Sequence, residues 1–215
     1  MHCFVRLLAG LSLIHAMVSS LAFGGPGDPP VLPPHFTRAD LIATPISIED
    51  AQSWYAELAT QQDIPYQFVF DGCYARAEKI AQILEQNGII ALKLFIEADP
   101  ETTQFKVRDR FDPSCYVQWI YHVTVAVLVQ NEPGYREPRL MVIDPSLFGE
   151  AVDANVWINE IGYTNGGNFK ATYQPRFAYK NREPFYSDWQ PQDLMDMDQV
   201  NHANVGKPSQ CNSRQ

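Results

Sequence analysis

Cys73 is a residue whose type and position could supply a nucleophile. It follows Asp71-Gly72 and starts a run in which small or apolar residues recur at helical spacing, namely Cys73, Ala77, Ile80, Ala81 and Leu84. The pattern predicts a helix with its N-cap at Asp71 and its stop at Asn87-Gly88. A thiol in the first helical turn lies beside free backbone N–H groups, which favour the reactive thiolate. The alternative is a small buried core residue, the more common fate of an isolated cysteine.

A histidine and an aspartate occur on two predicted strands further along the chain. Residues 117–130 form the longest run of β-branched and aromatic residues, which predicts one buried strand with His122 in its middle. Residues 139–144 predict the return strand. A turn through residues 131–135 would place His122 opposite Asp144 on the same face of the sheet. We expect the Cys73 helix to pack on that face and to bring thiol and imidazole together.

These three residue types could then act as a unit. His122 would take the thiol proton and return it to the leaving amine, and Asp144 would fix the tautomer and orientation of the imidazole. Backbone N–H groups at the head of the Cys73 helix would receive the oxyanion. Each signal also has an ordinary structural reading: His122 as a hydrogen-bonded core histidine, and Asp144 as a turn or cap residue before Pro145.

Three short blocks of the sequence resemble the secreted bacterial protein-glutaminases, which are protein-glutamine deamidases. They are residues 71–77 (Asp-Gly-Cys-Tyr-Ala-Arg-Ala), 119–123 (Trp-Ile-Tyr-His-Val) and 143–148 (Ile-Asp-Pro-Ser-Leu-Phe). They stand in the family's order and at similar spacing, and the resemblance covers roughly residues 66–160. It implies an α+β fold like the transglutaminase or papain core, in which the nucleophile helix packs on an antiparallel sheet.

The same resemblance implies a catalytic triad and a reaction. Cys73 would be the nucleophile, His122 the base and Asp144 its orienting partner. The thiolate would attack the side-chain carboxamide of a glutamine in a polypeptide, ammonia would leave, and water would resolve the γ-glutamyl thioester to glutamate. We expect a protein or peptide substrate that carries glutamine, and neither a cofactor nor a metal ion.

Other function classes share these residues. A transglutaminase would resolve the same acyl-enzyme with an amine, and a cysteine peptidase would use the same triad on a main-chain amide. A secreted binding module that kept the fold and lost the activity is a third class, against which the intact triad argues.

Three side chains near these blocks have two possible roles each. Trp119 and Tyr121 would lie on the opposite strand face from His122, where they could line a substrate groove or pack in the core, and core packing is the usual fate of aromatic residues. Arg76 could neutralise a buried acid such as Asp71 or Glu78, or be solvated on the helix exterior. We expect the exterior position.

The N-terminus has the pattern of a secretory signal peptide. Arg6 precedes an apolar run over residues 7–18, and Ser20 and Ala22 form a small-x-small cleavage site. The run is too short to cross a bilayer as a stable helix. We therefore expect cleavage near Ala22, a secreted or periplasmic location and no integral membrane association. A net charge of −9 argues against nucleic acid or an anionic membrane as partner, and we expect a monomer.

The remaining chain is long enough for one domain with a proper core. Residues 23–46 are a Pro/Gly-rich linker or short pro-segment, residues 47–190 form the predicted catalytic domain, and residues 191–215 are a polar C-terminal tail. Cleavage leaves Cys73, Cys115 and Cys211, an odd number for an oxidising compartment. Either Cys115 and Cys211 form a disulfide and Cys73 stays free, or all three are reduced.

Local patterns predict several further elements. A capping box at Ser47 and Asp50 predicts a helix that runs to about residue 60. Strands are predicted at residues 89–96 and, on an edge, at residues 104–107. The aromatic stretch 173–189 could add one strand or simply cover the core. Short helices are predicted at residues 156–158 and 193–200.

Overall fold

The structure is a computed structural model that describes residues 43–99, 104–130, 138–162, 169–179, 187–188 and 191–208. Four helices occur in these ranges: α1 (Ile48–Leu58), α2 (Cys73–Gln86), α3 (Ala154–Gly162) and α4 (Pro191–Asn204). The strands are β1 (Pro45–Ile46), β2 (Leu92–Ala98), β3 (Phe105–Arg108), β4 (Tyr116–Trp119), β5 (Tyr121–Val129), β6 (Arg139–Ile143), β7 (Val152–Asp153), β8 (Phe169–Gln174), β9 (Ala178–Tyr179) and β10 (Ser187–Asp188). Within this described part of the chain, no helix combines the length and the apolar character needed to cross a membrane.

The main sheet has the strand order β7-β6-β5-β2-β8, and each of these neighbours is antiparallel. The short strand β1 runs parallel to the end of β5. β5 lies in the middle of this order, and eight of its nine residues are buried, as expected for a strand that is covered on both faces. The predicted α+β fold with an antiparallel sheet is confirmed.

Helices cover both faces of this sheet. Val123, Val125 and Val127 of β5 belong to an apolar cluster with the buried residues of α1 and α2. Ala126 of β5 belongs to a second cluster, on the other face, with Trp157 and its neighbours on α3. The prediction that α2 packs on the face of His122 is therefore wrong, because the alternating valines of β5 provide the larger apolar surface on the opposite face.

The apolar stripe of α2 is confirmed, since all five predicted residues are buried in one cluster. The predicted N-cap is wrong: Gly72, with φ of 77°, precedes the helix without a side-chain cap, and the Asp71 carboxylate accepts the Gly72 N–H at 2.6 Å. Only glycine adopts this left-handed conformation at little cost, so it can turn the chain sharply into the helix. The predicted stop is confirmed, with Asn87 as C-cap and Gly88 at φ of 79°.

The single strand predicted over residues 117–130 is in fact two strands that separate at Ile120. β4 pairs with β3 in a two-stranded ribbon of its own, whereas β5 belongs to the main sheet. The carbonyl of Ile120 accepts the N–H of Ala98, and its side chain points to solvent. The break exists because the two halves of the run pair with different strands.

The predicted β5–β6 register is also wrong, by two positions. Val125 pairs with Ile143 and Ala126 with Val142, so Asp144 follows the last pair and does not face His122 across the ladder. The connecting residues 131–137 lie outside the described residues. Among the described strands, residues 121–124 of β5 pair with β2 along one edge and with none along the other.

The other predicted elements are present with shifted bounds. α1 has the predicted capping box between Ser47 and Asp50 and ends at Leu58. The strand predicted at residues 89–96 is β2, the edge strand is β3, and the helix at residues 156–158 is part of α3. α4 is longer than predicted and packs on α2 through Asn201, whose side-chain amide donates to the Ala75 carbonyl at 2.9 Å.

A buried ion cluster fixes α2 to the sheet. The carboxylate of Glu78 accepts hydrogen bonds from Lys93 on β2 at 2.6 Å and from Arg176 at 2.9 Å. At the edge of this cluster, Arg176 also meets the carboxylate of Glu85 at 2.6 Å, and the Glu85 side chain is about half exposed. Because removing one partner would leave a buried charge unpaired, the cluster ties the position of α2 to that of β2.

Candidate active site

Cys73 is the first residue of α2 and is the free cysteine of the described part of the chain. Its sulfur is buried, and the side chain of His122 and the backbone N–H of Val123 are both near enough to lower the pKa of the thiol. The helix end can reach Val123 because β5 has no described strand partner along that edge. Cys73 and His122 thus meet where the sheet opens, although they belong to opposite faces of it.

The two ring nitrogens of His122 have different environments. The side chain is only 2% exposed, and Nε2 lies 2.9 Å from Oδ2 of Asp144. Nδ1 is buried without a hydrogen bond of ordinary length and angle, although the ring interacts with the Cys73 sulfur. Such contacts are often loose in an enzyme without substrate and tighten in the complex. Nδ1 is therefore the nitrogen available to the thiol.

The carboxylate of Asp144 is buried and has several donors. Besides the imidazole of His122, Oδ2 accepts the indole N–H of Trp157 at 3.0 Å, and Oδ1 accepts the backbone N–H of Ser146 at 3.2 Å. These donors leave the carboxylate few orientations. It is therefore suited to orient the imidazole, the role predicted for it.

Two indole rings stack against the imidazole of His122. Trp119 has its ring centroid 4.9 Å away at an interplanar angle of 15°, and Trp157 lies 5.7 Å away at 25°. The rings exclude water and present their π-faces to the imidazole, which favours its protonated form. The sequence did not single out Trp157; the available signal was that a buried indole N–H on a helix requires an acceptor.

The loop after Asp144 is fastened by a side chain that sequence reasoning also missed. Arg110 donates to the hydroxyl of Tyr55 and to the carbonyl of Pro145, both at 2.8 Å, and also to the carbonyl of Phe148. Tyr55 itself donates to the Phe148 carbonyl at 2.6 Å. α1 and Arg110 therefore hold the loop that carries the carboxylate.

Trp119 and Tyr121 line a cleft that also contains Cys73. The cleft has a volume of about 270 Å³ and is lined by Val69, Phe70, Asp71, Cys73, Gln104, Gln118, Trp119, Ile120 and Tyr121. Trp119 also fastens the cleft wall, because its indole N–H donates to the Val69 carbonyl at 2.9 Å.

Both aromatic residues also pack partly against the core, Tyr121 on the face of α1 and α2 and Trp119 on the face of α3. The prediction that Trp119 lies on the opposite strand face from His122 is wrong, because β4 separates from β5 at Ile120 and the Trp119 indole stacks on the imidazole. A role of either residue in binding substrate stays a prediction.

Arg76 is buried, contrary to the predicted exterior position. It is 3% exposed and donates to the carbonyls of Phe68 and Asp71 at 2.7 and 2.6 Å. The segment before α2 folds back over the helix and needs these donors, which a helix pattern alone does not reveal. The guanidinium charge lowers the pKa of both Cys73 and Asp144.

The three polar groups shift one another's ionisation. Burial opposes the charge on His122, but the Asp144 carboxylate and the Cys73 sulfur outweigh it and raise the pKa of His122 to about 9. Burial alone would raise the pKa of the Cys73 thiol, yet His122, Arg76 and the Val123 N–H together lower it. The directions are those of a thiolate beside an imidazolium, the pair that nucleophilic catalysis by cysteine requires.

The structure describes Cys73 and Cys115 of the three cysteines expected in the mature chain. Cys115 is buried and disulfide-bonded, and Cys73 is free. Cys211 lies outside the described residues, so its pairing with Cys115 stays a prediction. Across the residues that the structure describes, no group of three or more His, Cys, Asp or Glu side chains could hold a metal ion.

The sequence matches a family profile described as "Glutaminase" over residues 51–161, which is more than half of the chain. The chain belongs to this glutaminase family. The matched segment contains Cys73, His122 and Asp144, and it also contains Trp157. The resemblance noted in the sequence is thereby confirmed. No curated protein gives a significant sequence match.

Solved structures of protein-glutaminases share the fold of this member of the glutaminase family. A mutant of pro-protein-glutaminase has a TM-score of 0.65 at 22% identity, over 80% of this chain and 62% of that one. A structure of protein-glutaminase has a TM-score of 0.62 at 24% identity, over 80% of this chain and 94% of that one. The structure of protein-glutaminase from Chryseobacterium proteolyticum has a TM-score of 0.60 at 24% identity, over 73% and 86%. The chain thus spans under two thirds of the pro-form, and identities this low establish the fold alone.

Proposed function

We propose that this protein hydrolyses the side-chain amide of glutamine residues in proteins or peptides, which yields glutamate and ammonia. The observation that carries the proposal is the buried His122, which has Asp144 on Nε2 and the Cys73 thiol as the partner available to Nδ1. Membership of the glutaminase family supports the choice of an amide substrate.

In the first half of the reaction the Cys73 thiolate attacks the carboxamide carbon. Cys73 is the first helical residue of α2, where backbone N–H groups lack intrahelical acceptors, and its own N–H is suited to receive the oxyanion. The His122 imidazolium gives its proton to the amide nitrogen, the C–N bond breaks and ammonia leaves. The product is a γ-glutamyl thioester on Cys73.

In the second half His122, now neutral, takes a proton from water, and the hydroxyl attacks the thioester carbon. The C–S bond breaks, the thiolate is restored, and the glutamate side chain leaves. Asp144 stays ionised throughout and stabilises the imidazolium, because its pKa is lowered by His122, Trp157 and Arg76 despite its burial.

We also propose that the protein acts outside the cytoplasm, after removal of residues 1–22. The signal-peptide pattern of the sequence supports this location, as does the presence of a disulfide at Cys115. N-terminal sequencing of the exported protein tests it: a mature N-terminus after Ala22 is expected, and an intact Met1 contradicts it.

The activity is tested by incubating the protein with a glutamine-containing protein, with and without a primary amine. Ammonia release and conversion of glutamine to glutamate, without chain cleavage, are expected. Incorporation of the amine in place of hydrolysis would identify a transglutaminase, and new peptide termini would identify a peptidase. Cys73→Ala and Cys73→Ser should both be inactive while they remain folded, and full activity in either would overturn the mechanism.

A further inference from the structure

We propose that the cleft beside Cys73 selects glutamines that have an apolar neighbour in the substrate chain and discriminates against glutamines that have an acidic neighbour. The inference rests on the proposed function, because it names the substrate class of the same site.

The size of the cleft separates the target side chain from its neighbours. A volume of about 270 Å³ is near the lower limit of small-molecule sites, roughly 300 Å³. The cleft therefore accepts one side chain and leaves the adjacent substrate residues at its rim. Side chains at the rim consequently decide which neighbours are tolerated.

Two large apolar side chains stand exposed at this rim. Phe70 is 41% exposed and Ile120 is 49% exposed, and both line the cleft. They come from separate segments, Phe70 from the approach to α2 and Ile120 from the break between β4 and β5. Apolar surface left in water beside a site where a polypeptide must lie is suited to bury an apolar substrate residue.

The charge at the rim has one sign. Asp71 is the one Asp or Glu among the described residues that line the cleft, and neither Lys nor Arg is among them. The Asp71 carboxylate is exposed, two residues before Cys73. The Arg76 guanidinium lies behind it, buried and bonded to two carbonyls. An acidic neighbour in the substrate would therefore meet the exposed Asp71 carboxylate at the rim, whereas the Arg76 guanidinium is buried behind it and cannot pair with that neighbour.

The test is a set of blocked peptides with one glutamine and a single varied neighbour, namely Ala, Leu, Lys or Glu, on either side. Ammonia release gives kcat/KM for each peptide. We expect kcat/KM of the Leu peptide to exceed that of the Ala peptide by about fivefold on at least one side of the glutamine. At low ionic strength, kcat/KM of the Glu peptide should be about threefold below that of the Ala peptide. The kcat/KM of the Lys peptide should not be lower than that of the Ala peptide.

Variants of the rim connect the preference to these residues. Phe70→Ala and Ile120→Ala should reduce the ratio of kcat/KM between the Leu and Ala peptides. Asp71→Asn should raise kcat/KM of the Glu peptide toward that of the Ala peptide. Phe177→Ala and Val156→Ala are matched controls, since those side chains are 42% and 51% exposed but do not line the cleft. They should leave every ratio unchanged.

The outcomes separate this inference from the proposed function. If no peptide and no protein is deamidated, the proposed function fails. If the Ala peptide is deamidated but the neighbours make no difference, or if the rim variants change the ratios no more than the controls do, the function stands and the selectivity is wrong.

Discussion

The imidazole of His122 has a hydrogen bond to Asp144 at 2.9 Å and two stacked indole rings. Fixing Nε2 in this way leaves Nδ1 to exchange the proton with substrate and thiol. Trp157 takes part twice, because its ring stacks on the imidazole and its N–H donates to the carboxylate that orients it. We therefore expect Trp157 to have a positioning role beside Cys73, His122 and Asp144, the proposed reactive residues.

Substitution of Trp157 by Phe separates these two contributions. Phe keeps a flat ring against the imidazole but removes the donor that lies 3.0 Å from Asp144. We expect kcat to fall about tenfold with KM nearly unchanged, and stability to fall by about 2 kcal/mol because a hydrogen bond to a charged group is lost. Steady-state kinetics and urea unfolding measure the two effects. Trp54→Phe on α1 is the control, and an unchanged kcat in Trp157→Phe would contradict the positioning role.

The ionisation of the pair predicts a pH profile. His122 keeps its proton up to its raised pKa of about 9, so kcat/KM should be sustained into the alkaline range and should fall as pH rises through about 9. Asp144→Asn removes the negative charge that raises this pKa. The alkaline limb should then move to lower pH, toward the ordinary histidine pKa of about 6.5, and kcat should fall by about 10²-fold or more. An alkaline limb that stays in place would show that another group titrates there.

At the scale of elements, the position of the thiol depends on how the chain enters α2. Gly72 has a left-handed backbone conformation, and a Cβ built on it would lie 3.2 Å from Val200 on α4. Gly88, at the other end of α2, has nearly the same φ but nothing within 4 Å of a built Cβ. The two glycines therefore share the backbone strain that a substitution would introduce, and only Gly72 has a close packing neighbour.

We expect Gly72→Ala to lower kcat more than tenfold, because α4 or the first turn of α2 must shift and the thiol moves with it. Gly88→Ala should cost about 1 kcal/mol of stability from the left-handed backbone and leave kcat unchanged. Enzyme kinetics and thermal unfolding compare them directly. Equal activities in the two variants would mean that the entry to α2 does not position Cys73.

Much of the secondary structure around the site could be predicted from local sequence patterns. The stripe from Cys73 to Leu84 and the capping box at Ser47 depend on residues a few positions apart, so the sequence determined both helices. Cys73 and Asp144 could be singled out because each stands at the end of a predicted element, and His122 because it is a polar residue in the middle of a predicted buried strand. The order of the blocks then identified the family.

The features that were missed depend on distant partners. The break at Ile120 follows from the pairing of β4 with β3, and the face on which α2 packs follows from the competition between two apolar surfaces of β5. The register depends on the turn between β5 and β6, and Arg76 is buried because a neighbouring segment supplies carbonyls. None of these is encoded within a short window of sequence.

At the scale of the whole molecule, the site spans both layers that cover the sheet. Cys73 comes from α2 on one face, Trp157 from α3 on the other, and His122 from the strand between them. Because α4 packs against the start of α2, the C-terminal part of the chain also supports the site. The whole fold, and not a single loop, therefore maintains the distances among the reactive groups.

The disulfide at Cys115 is expected to link the C-terminal part of the chain covalently to the rest of the fold. Of the two other cysteines that the proposed cleavage would leave, Cys73 is free, so we expect Cys211 to be the partner of Cys115. Peptide mapping without reduction should recover a linked pair that contains residues 115 and 211. Cys211→Ser should lower stability by about 2–4 kcal/mol, because the bridge would close a long loop, with little effect on the activity of the folded protein. A linked pair without Cys211 would contradict the assignment.

The central claim is that Cys73 and His122 form a reactive thiolate–imidazolium pair, and the pH dependence of Cys73 alkylation tests it without any assumption about the substrate. Iodoacetamide labelling of the peptide that contains Cys73, followed by mass spectrometry, gives the rate at each pH. The rate should reach half its maximum well below pH 8.5, about the pKa of an ordinary thiol, and His122→Ala should move that midpoint upward. A midpoint at or above about 8.5, unchanged by His122→Ala, would contradict the account.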